Sequence, residues 1–159
     1  MGALDGTKIG MANRFHVKVD SPSQFDLGTW AKCEGLDVEW TVNSYQAGDA
    51  GNSLWIFPGS TKYNAVTLQR VACENTRSIK NDWLTSVSFD LKDKLKPHLI
   101  TISLLDETYK LEDAVCEWEL RNAFPKKWSV TGMDATKSGV AYETLIIAHT
   151  GFLDDERFV

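Results

Sequence analysis

Phe15, Val17 and Val19 alternate with His16 and Lys18, the period of two that a strand shows when one of its faces is buried. The cluster Asp20-Ser-Pro-Ser23 ends that pattern. Trp30 to Leu36 predicts a second strand, and Val38, Trp40 and Val42, alternating with Glu39 and Thr41, predict a third. Gly35 between them is placed for a bulge or bend. Tyr63 to Val71 resumes a strand pattern, and then the period changes. Ile79, Trp83, Val87 and Leu91 recur every four residues while Arg77, Lys80, Asn81 and Asp82 fall elsewhere, which predicts one amphipathic helix over about 75–92. Asn75, Thr76 or Ser78 is placed to cap its start, and Pro97 lies beyond its end.

Strand patterns fill the second half. Ile100, Ile102 and Leu104 alternate with Thr101 and Ser103, a turn follows at Asp106-Glu-Thr108, and Cys116, Trp118 and Leu120 alternate with Glu117, Glu119 and Arg121. Asn122 to Pro125 interrupts that ladder, because proline donates no backbone hydrogen bond; Trp128 to Met133 and Val140 to His149 predict two more strands. The chain shows no internal repeat and no Pro/Gly/Ser linker. The expectation is a mainly β protein: one domain over 1–159, a small antiparallel barrel or sandwich of about eight strands with one helix.

One segment stands apart. Residues 46–60 join a glycine-bearing half, Ala47-Gly-Asp-Ala-Gly-Asn-Ser53, to the apolar cluster Leu54-Trp-Ile-Phe57 and then Pro58 and Gly59. A protruding loop of this length inside a compact domain usually has a task. Two readings follow: the apolar half covers the edge of the domain's own core, or it anchors onto a neighbouring subunit, where Trp and Phe are favoured contacts.

The charge balance narrows the partners. With 17 basic and 22 acidic residues the net charge is −5, and no Lys or Arg run tracks a phosphate backbone, which argues against specific nucleic-acid binding. No stretch reaches 18 apolar residues, and Met-Gly-Ala-Leu-Asp-Gly-Thr-Lys at the start lacks the plan of a signal peptide. The expectation is synthesis in the cytoplasm without membrane insertion of the subunit. Cys33, Cys73 and Cys116 are odd in number and widely spaced, so buried reduced thiols are expected and neither disulfides nor zinc.

Catalytic patterns are weak. There is no Gly-x-Ser-x-Gly elbow, His-Glu-x-x-His pair or phosphate-binding Gly-rich loop. Glu117 and Glu119 share a strand face, but charge alternation on a solvated strand, balanced by Arg121, accounts for them. His16, His98 and His149 are far apart in sequence and read as surface or hydrogen-bonded histidines. Neither an enzyme nor a cofactor is expected from these residues. Two alternatives stay open, a monomeric barrel that binds a small ligand and, with less support, a hydrolase.

The run Asn122-Ala-Phe-Pro-Lys-Lys-Trp128, with Met133-Asp-Ala135 and Glu143-Thr-Leu145 downstream, resembles the C-terminal half of the tail tube proteins of contractile phage tails and phage-tail-like injection systems. Upstream, Asn13 to Asp20, Cys33-Glu-Gly-Leu36, Phe57-Pro-Gly59 with Tyr63, and Leu68-Gln-Arg70 follow in that family's order. The resemblance marks Asn122, Ala123, Pro125, Trp128, Glu143 and Leu145 as signature residues. It implies a structural protein without cofactor that forms six-fold rings stacked into a hollow inner tube, driven through a target envelope by a contracting sheath. Implied partners are further copies of the chain, a sheath protein, baseplate and tube-terminating proteins, and a lumen cargo of effector protein or phage DNA. The assembled particle would be a phage tail or a phage-tail-like particle. Under this resemblance the N-terminal arm 1–11, including Thr7, Lys8 and Ile9, and the loop 46–60, including Gly48, Asp49, Asn52, Ser53, Trp55, Phe57 and Pro58, would bridge subunits and rings. Two departures bear on local turns: Asp106-Glu-Thr108 lacks a glycine, and Val71 follows Arg70.

Overall fold

The computed structural model of the chain describes residues 9–11, 15–46, 48, 51 and 54–153. Nine strands form in order: β1 Phe15–Ser21, β2 Phe25–Trp30, β3 Lys32–Glu34, β4 Val38–Tyr45, β5 Trp55–Tyr63, β6 Val66–Val71, β7 His98–Leu104, β8 Cys116–Thr131 and β9 Tyr142–Ala148. One helix, α1, runs through Glu74–Ser78, Ile79–Leu84 and Thr85–Phe89, and a short α2 spans Leu91–Lys94. Seven strands order as β2-β1-β7-β8-β9-β6-β3, all antiparallel, while β4 and β5 pair only with each other.

The fold is the expected mainly β one, and of the two architectures it takes the sandwich, with no closed barrel. The two halves meet through β8. Residues before its midpoint pair with β7, and residues from Phe124 onward pair with β9. The strands expected at 116–121 and 128–133 are therefore one strand of 16 residues with a corner between. Phe15, Val17 and Val19 of β1, Ile100 and Ile102 of β7 and Leu120 of β8 fill the core as alternation predicts, with Leu104 and Trp118 partly buried against it; Val66 and Leu68 of β6 and Leu145 and Ile147 of β9 join them. β2, whose polar-apolar pattern is interrupted by Gly28, went unread in the sequence although Leu27 and Trp30 are buried.

The helix lays Ile79 and Trp83 into this core. Residues spaced by four drift roughly 40° per step around an α-helix. Here the middle segment Ile79–Leu84 widens into π-helical turns, which reverses that drift and keeps Ile79, Trp83 and Val87 on one face. The helix ends at Phe89, earlier than 92, because Asp90 is extended (φ −87°, ψ 112°). Leu91, the fourth member of the stripe, falls past this break and is exposed, as are Phe89 and Leu95. Gly35 is the expected bend: its φ is +93°, and a Cβ there would stand 2.2 Å from the Ala65 carbonyl oxygen.

No helix among the described residues is long and apolar enough to cross a membrane.

Candidate functional site

The segment read as a loop over 46–60 is a loop only up to its apolar part, because β5 begins at Trp55. β4 and β5 pair from Val38↔Tyr63 out to Tyr45↔Trp55, so only the tip lies between strands. Trp55, Phe57 and Pro58 thus sit on β5 rather than in a loop, and alternation with β-branched and aromatic residues was the overlooked signal. Asp49, Asn52 and Ser53, like Thr7 and Lys8, lie outside the described residues. Gly48 is at a turn with open space around it.

Register assigns the hairpin's faces. Tyr45 and Trp55 are partners, as are Asn43 and Phe57, which puts the three aromatic rings on one face; Val42, Pro58 and Ile56 lie on the other together with Trp40. Neither face is covered. Trp55 is 65% exposed and Ile56 69%, with Trp40, Val42, Tyr45 and Phe57 also exposed. The reading in which these side chains cover the domain's own core is therefore not what forms. A two-stranded ribbon is marginal in water by itself, and its outer edges carry unpaired backbone groups. Apolar residues are thus exposed on both sides of the ribbon.

The hairpin's root is held by the chain's C-terminal segment. Tyr63 meets His149 and Phe152 edge to face, with ring centroids 5.7 Å and 5.1 Å apart. The His149 Nε2 lies 2.9 Å from the Asn64 carbonyl oxygen. Burial, with the Arg121 guanidinium adding to it, holds the His149 pKa below its ordinary value, against the opposing pull of the Asn64 contact.

The six signature residues gather at and beside the β8 corner. Asn122 adopts a left-handed conformation (φ +50°), which asparagine tolerates better than most residues, and its Nδ2 donates to Thr150 Oγ1 at 3.2 Å. Arg121 on one side exchanges backbone hydrogen bonds with Thr150 and Gly151. Ala123 is buried where a larger side chain would have to displace the core. Pro125 stands at the register shift between β8 and β9, a place where a missing N–H costs no ladder bond. Leu145, buried, pairs with both Leu68 and Trp128.

Trp128 and Glu143 belong to a buried polar knot. Glu143 is fully buried and accepts three hydrogen bonds: from Arg70 Nε at 2.8 Å, Trp128 Nε1 at 2.8 Å and Thr76 Oγ1 at 2.7 Å. Arg70 also donates through Nη1 to the Leu27 and Thr29 carbonyls at 2.7 and 3.2 Å and lies 4.0 Å over the Trp30 ring. The knot ties β2, β6, β8, β9 and α1 together. It also bridges the seam between β2 and β6, beside the backbone hydrogen bond that Ala31 N–H donates to the Gln69 carbonyl at 3.0 Å. Both charges sit at inward positions of alternating strands, Val66-x-Leu68-x-Arg70 and Glu143-x-Leu145-x-Ile147, which is the sequence signal that reveals them.

The catalytic candidates do not converge. His16 contacts Asp26, His98 accepts from Trp83 Nε1 at 3.5 Å, and His149 contacts Asn64, three separate settings. His16, expected on an outward polar face, is buried nonetheless. Among the described residues no three His, Cys, Asp or Glu groups are placed to hold a metal ion. Glu117 and Glu119 are exposed, and Ser103 Oγ donates to Glu117 at 3.4 Å. The cysteines depart from expectation, because Cys73 and Cys116 are exposed and Cys33 is half-buried. Their positions at the start of α1 and the start of β8 leave them outside the core despite the apolar character of the side chain. Burial, helped by Glu34, pushes the Cys33 thiol up to about 11, unsuited to a nucleophile.

What the geometry offers is a bonded scaffold carrying an uncovered apolar arm. Residues 11–153 match the family described as the T4-like virus tail tube protein gp19. The chain belongs to this family of tail tube proteins. Solved structures share the fold. A chain of the sheath–tube complex of an extracellular contractile injection system, PVC, in its extended state superposes at a TM-score of 0.65 with 19% identity, covering 91% of this chain and 89% of that one. A chain of the anti-feeding prophage baseplate gives 0.63 and 21%, covering 91% and 93%. A chain of the cap that terminates the same particle's tube gives 0.65 and 20%, covering 92% and 93%. Among curated protein sequences, none matches the chain. The tail tube protein is thus a structural component of a tube, and its signature residues build a corner and a knot rather than a reaction centre.

Proposed function

We propose that this tail tube protein forms six-fold rings that stack into the hollow inner tube of a contractile injection system or phage tail. The observation that carries the reading is the β4–β5 hairpin, apolar on both faces and, among the described residues, paired with no other strand. Copies of the chain supply the cover it lacks: one face meets a neighbour in the ring and the other a neighbouring ring, with the N-terminal segment, Ile9 included, adding to the contact. Ile9 is exposed, and Met11 ties this segment to the domain by donating its N–H to the Leu105 carbonyl at 2.9 Å. Contacts that do not close between rings build a filament from one repeated pair of surfaces.

The related structures come from a sheath–tube complex, a baseplate and a tube-terminating cap, and a sheath, a baseplate and a tube terminator are the partners we assign to the assembled tube. The lumen would hold effector protein or pass phage DNA. The subunit carries −5, and a tube multiplies that charge along its length, which favours passage of a polyanion without adhesion. The mechanism is mechanical: sheath contraction drives a rigid tube through an envelope. No small ligand is required, since the inward positions between the sheets are filled by core side chains.

Negative-stain electron microscopy of the concentrated protein, alone and co-expressed with its genomic neighbours, tests the proposal. Six-fold rings or stacked hollow tubes are expected. Uniform monomers under both conditions would overturn it.

A further inference from the structure

The ladder formed by β6, β9 and the second half of β8 has two unlike ends. At one, Val66 pairs with Ile147 and Phe124 with Ala148, and the hairpin leaves from here, since only Asn64 and Ala65 separate Tyr63 of β5 from Val66. At the other, Val71 pairs with Tyr142 and Tyr142 with Thr131. Met133 and Val140, on the connection between β8 and β9, adjoin this second end: a Cβ added to Gly132 would stand 3.1 Å from the Val140 carbonyl oxygen and 3.8 Å from the Tyr142 ring. Val71, Met133, Val140 and Tyr142 are each 45% exposed or more. We propose that this patch receives the β4–β5 hairpin of another copy, in the next ring along the tube. The inference rests on the tube reading and adds the receiving surface to it.

Placement supports it first. Copies stacked in one orientation need the projecting surface and the receiving surface at opposite ends of the subunit. The hairpin and the patch stand at opposite ends of one ladder, separated by the length of β6. The hairpin also has the reach: β5 has 9 residues, and at strand rise these carry Trp55 about 26 Å from Tyr63. Area supports it next. Tyr45, Trp55 and Phe57, together on one face of the hairpin, are 63%, 65% and 49% exposed. At roughly 150–250 Å² per aromatic side chain, they leave about 350 Å² of apolar surface open. One partner in a standard interface contributes roughly 800 Å², a little over half of it apolar, so these three rings supply most of one side's apolar area.

Charge decides among the apolar patches. Residues 40–46 and 54–61 of the hairpin carry no charge. The outward positions of the receiving end are uncharged as well, with Val71, Tyr142 and Thr131 in the first row and Gln69, Thr144 and Ser129 in the next. Asp134, beside Met133, is engaged within its own turn by Thr136 and Lys137. Two other exposed apolar clusters are different. Leu91 and Leu95 flank the exposed Lys94, with Lys96 next along, and Tyr109 and Leu111 are interleaved with Glu107, Lys110 and Glu112. An uncharged arm laid over either would strip water from those charges without pairing them. In addition, α2 leads into His98, whose partner Ala123 stands at the β8 corner, the end from which the hairpin leaves.

The test is photo-cross-linking of assembled protein that carries p-benzoylphenylalanine in place of Tyr142, which keeps an aromatic ring at that position. A ladder of covalent multimers is expected, with the cross-linked peptide, mapped by mass spectrometry, falling within residues 38–63. In parallel, M133D/V140D, changed at exposed positions outside the strands, should melt like the wild type yet form no tubes in negative stain. Cross-links that fall outside 38–63, no cross-links between copies, or tubes of wild-type length from a folded M133D/V140D would overturn this inference and leave the tube reading in place. Wild-type protein that forms no tubes would overturn both. Should M133D/V140D melt early, the position of the cross-link alone decides.

Discussion

Glu143 has a demanding environment, a carboxylate with no exposed surface. A fully buried carboxylate is tolerable only because Arg70, Trp128 and Thr76 all donate to it. E143Q removes the charge and leaves the Arg70 guanidinium buried without a counter-ion. The expected loss, read by urea denaturation, is on the order of 3 to 5 kcal/mol. The double variant R70M/E143L, which removes both charges, should lose less than E143Q; a larger loss would mean that the knot is worth more than its desolvation cost. The cysteines give a second prediction at this scale. At pH 8, Cys73 and Cys116 should react quickly with a thiol reagent and Cys33 only after unfolding, because its thiol is held at about 11. Three equal rates would contradict that environment.

At this same scale the sequence is readable where alternation is clean and opaque where a residue's partner is distant. Arg70 and Glu143 occupy inward positions in patterns that anyone can count, yet their meeting joins residues 73 positions apart. Trp128 is a signature residue whose role, a hydrogen bond to Glu143, is legible only once β8 and β9 are paired. His16 reads as solvent-facing from alternation and is buried all the same.

Among the elements, the hairpin repays the closest reading. The glycines of 46–53 are the marks of a loop, and they mask the strand that starts beyond them and runs from Trp55 to Tyr63. The ribbon's rigidity follows from its ladder, and its reach from having no partner strand. W55D/F57D places two charges on one face and W40D/V42D two on the other. Each should abolish assembly seen by electron microscopy while the melting temperature of the dispersed subunit moves little, since these side chains are exposed before assembly. Assembly by either variant would show that its face is free in the tube.

The hairpin's root responds to pH. The folded pKa of His149 lies below its ordinary 6.5, so the unfolded chain binds the proton more readily. The contribution of His149 is therefore fully present above pH 6.5 and is lost as pH falls below that value toward the lower folded one. Thermal melts should drop between pH 7.5 and 5, and the drop should shrink in H149Q, which keeps a donor for the Asn64 carbonyl but does not titrate. An unchanged drop would place the proton elsewhere.

For the whole molecule, the two halves of the sandwich are not separable units. β8 contributes to both, and the Arg70–Glu143 knot fastens the seam opposite. Urea unfolding followed by far-ultraviolet circular dichroism and by tryptophan fluorescence should give coincident single transitions. Two transitions would mean that one half persists alone. The β-rich character and the main helix could be read from periodicity, but β2, β5 and the joining of two expected strands into β8 could not, the last because Asn122 and Pro125 carry the usual marks of a break. They bend the strand instead of ending it, one through its left-handed backbone and the other by sitting where no bond is needed.

That continuity matters for a body that is pushed. Under the proposed function, a push on the β7 side of β8 reaches the β9 side along covalent bonds, because both neighbours are laddered to one strand. The corner at Asn122 is thus a bend in a single girder and not a joint between two.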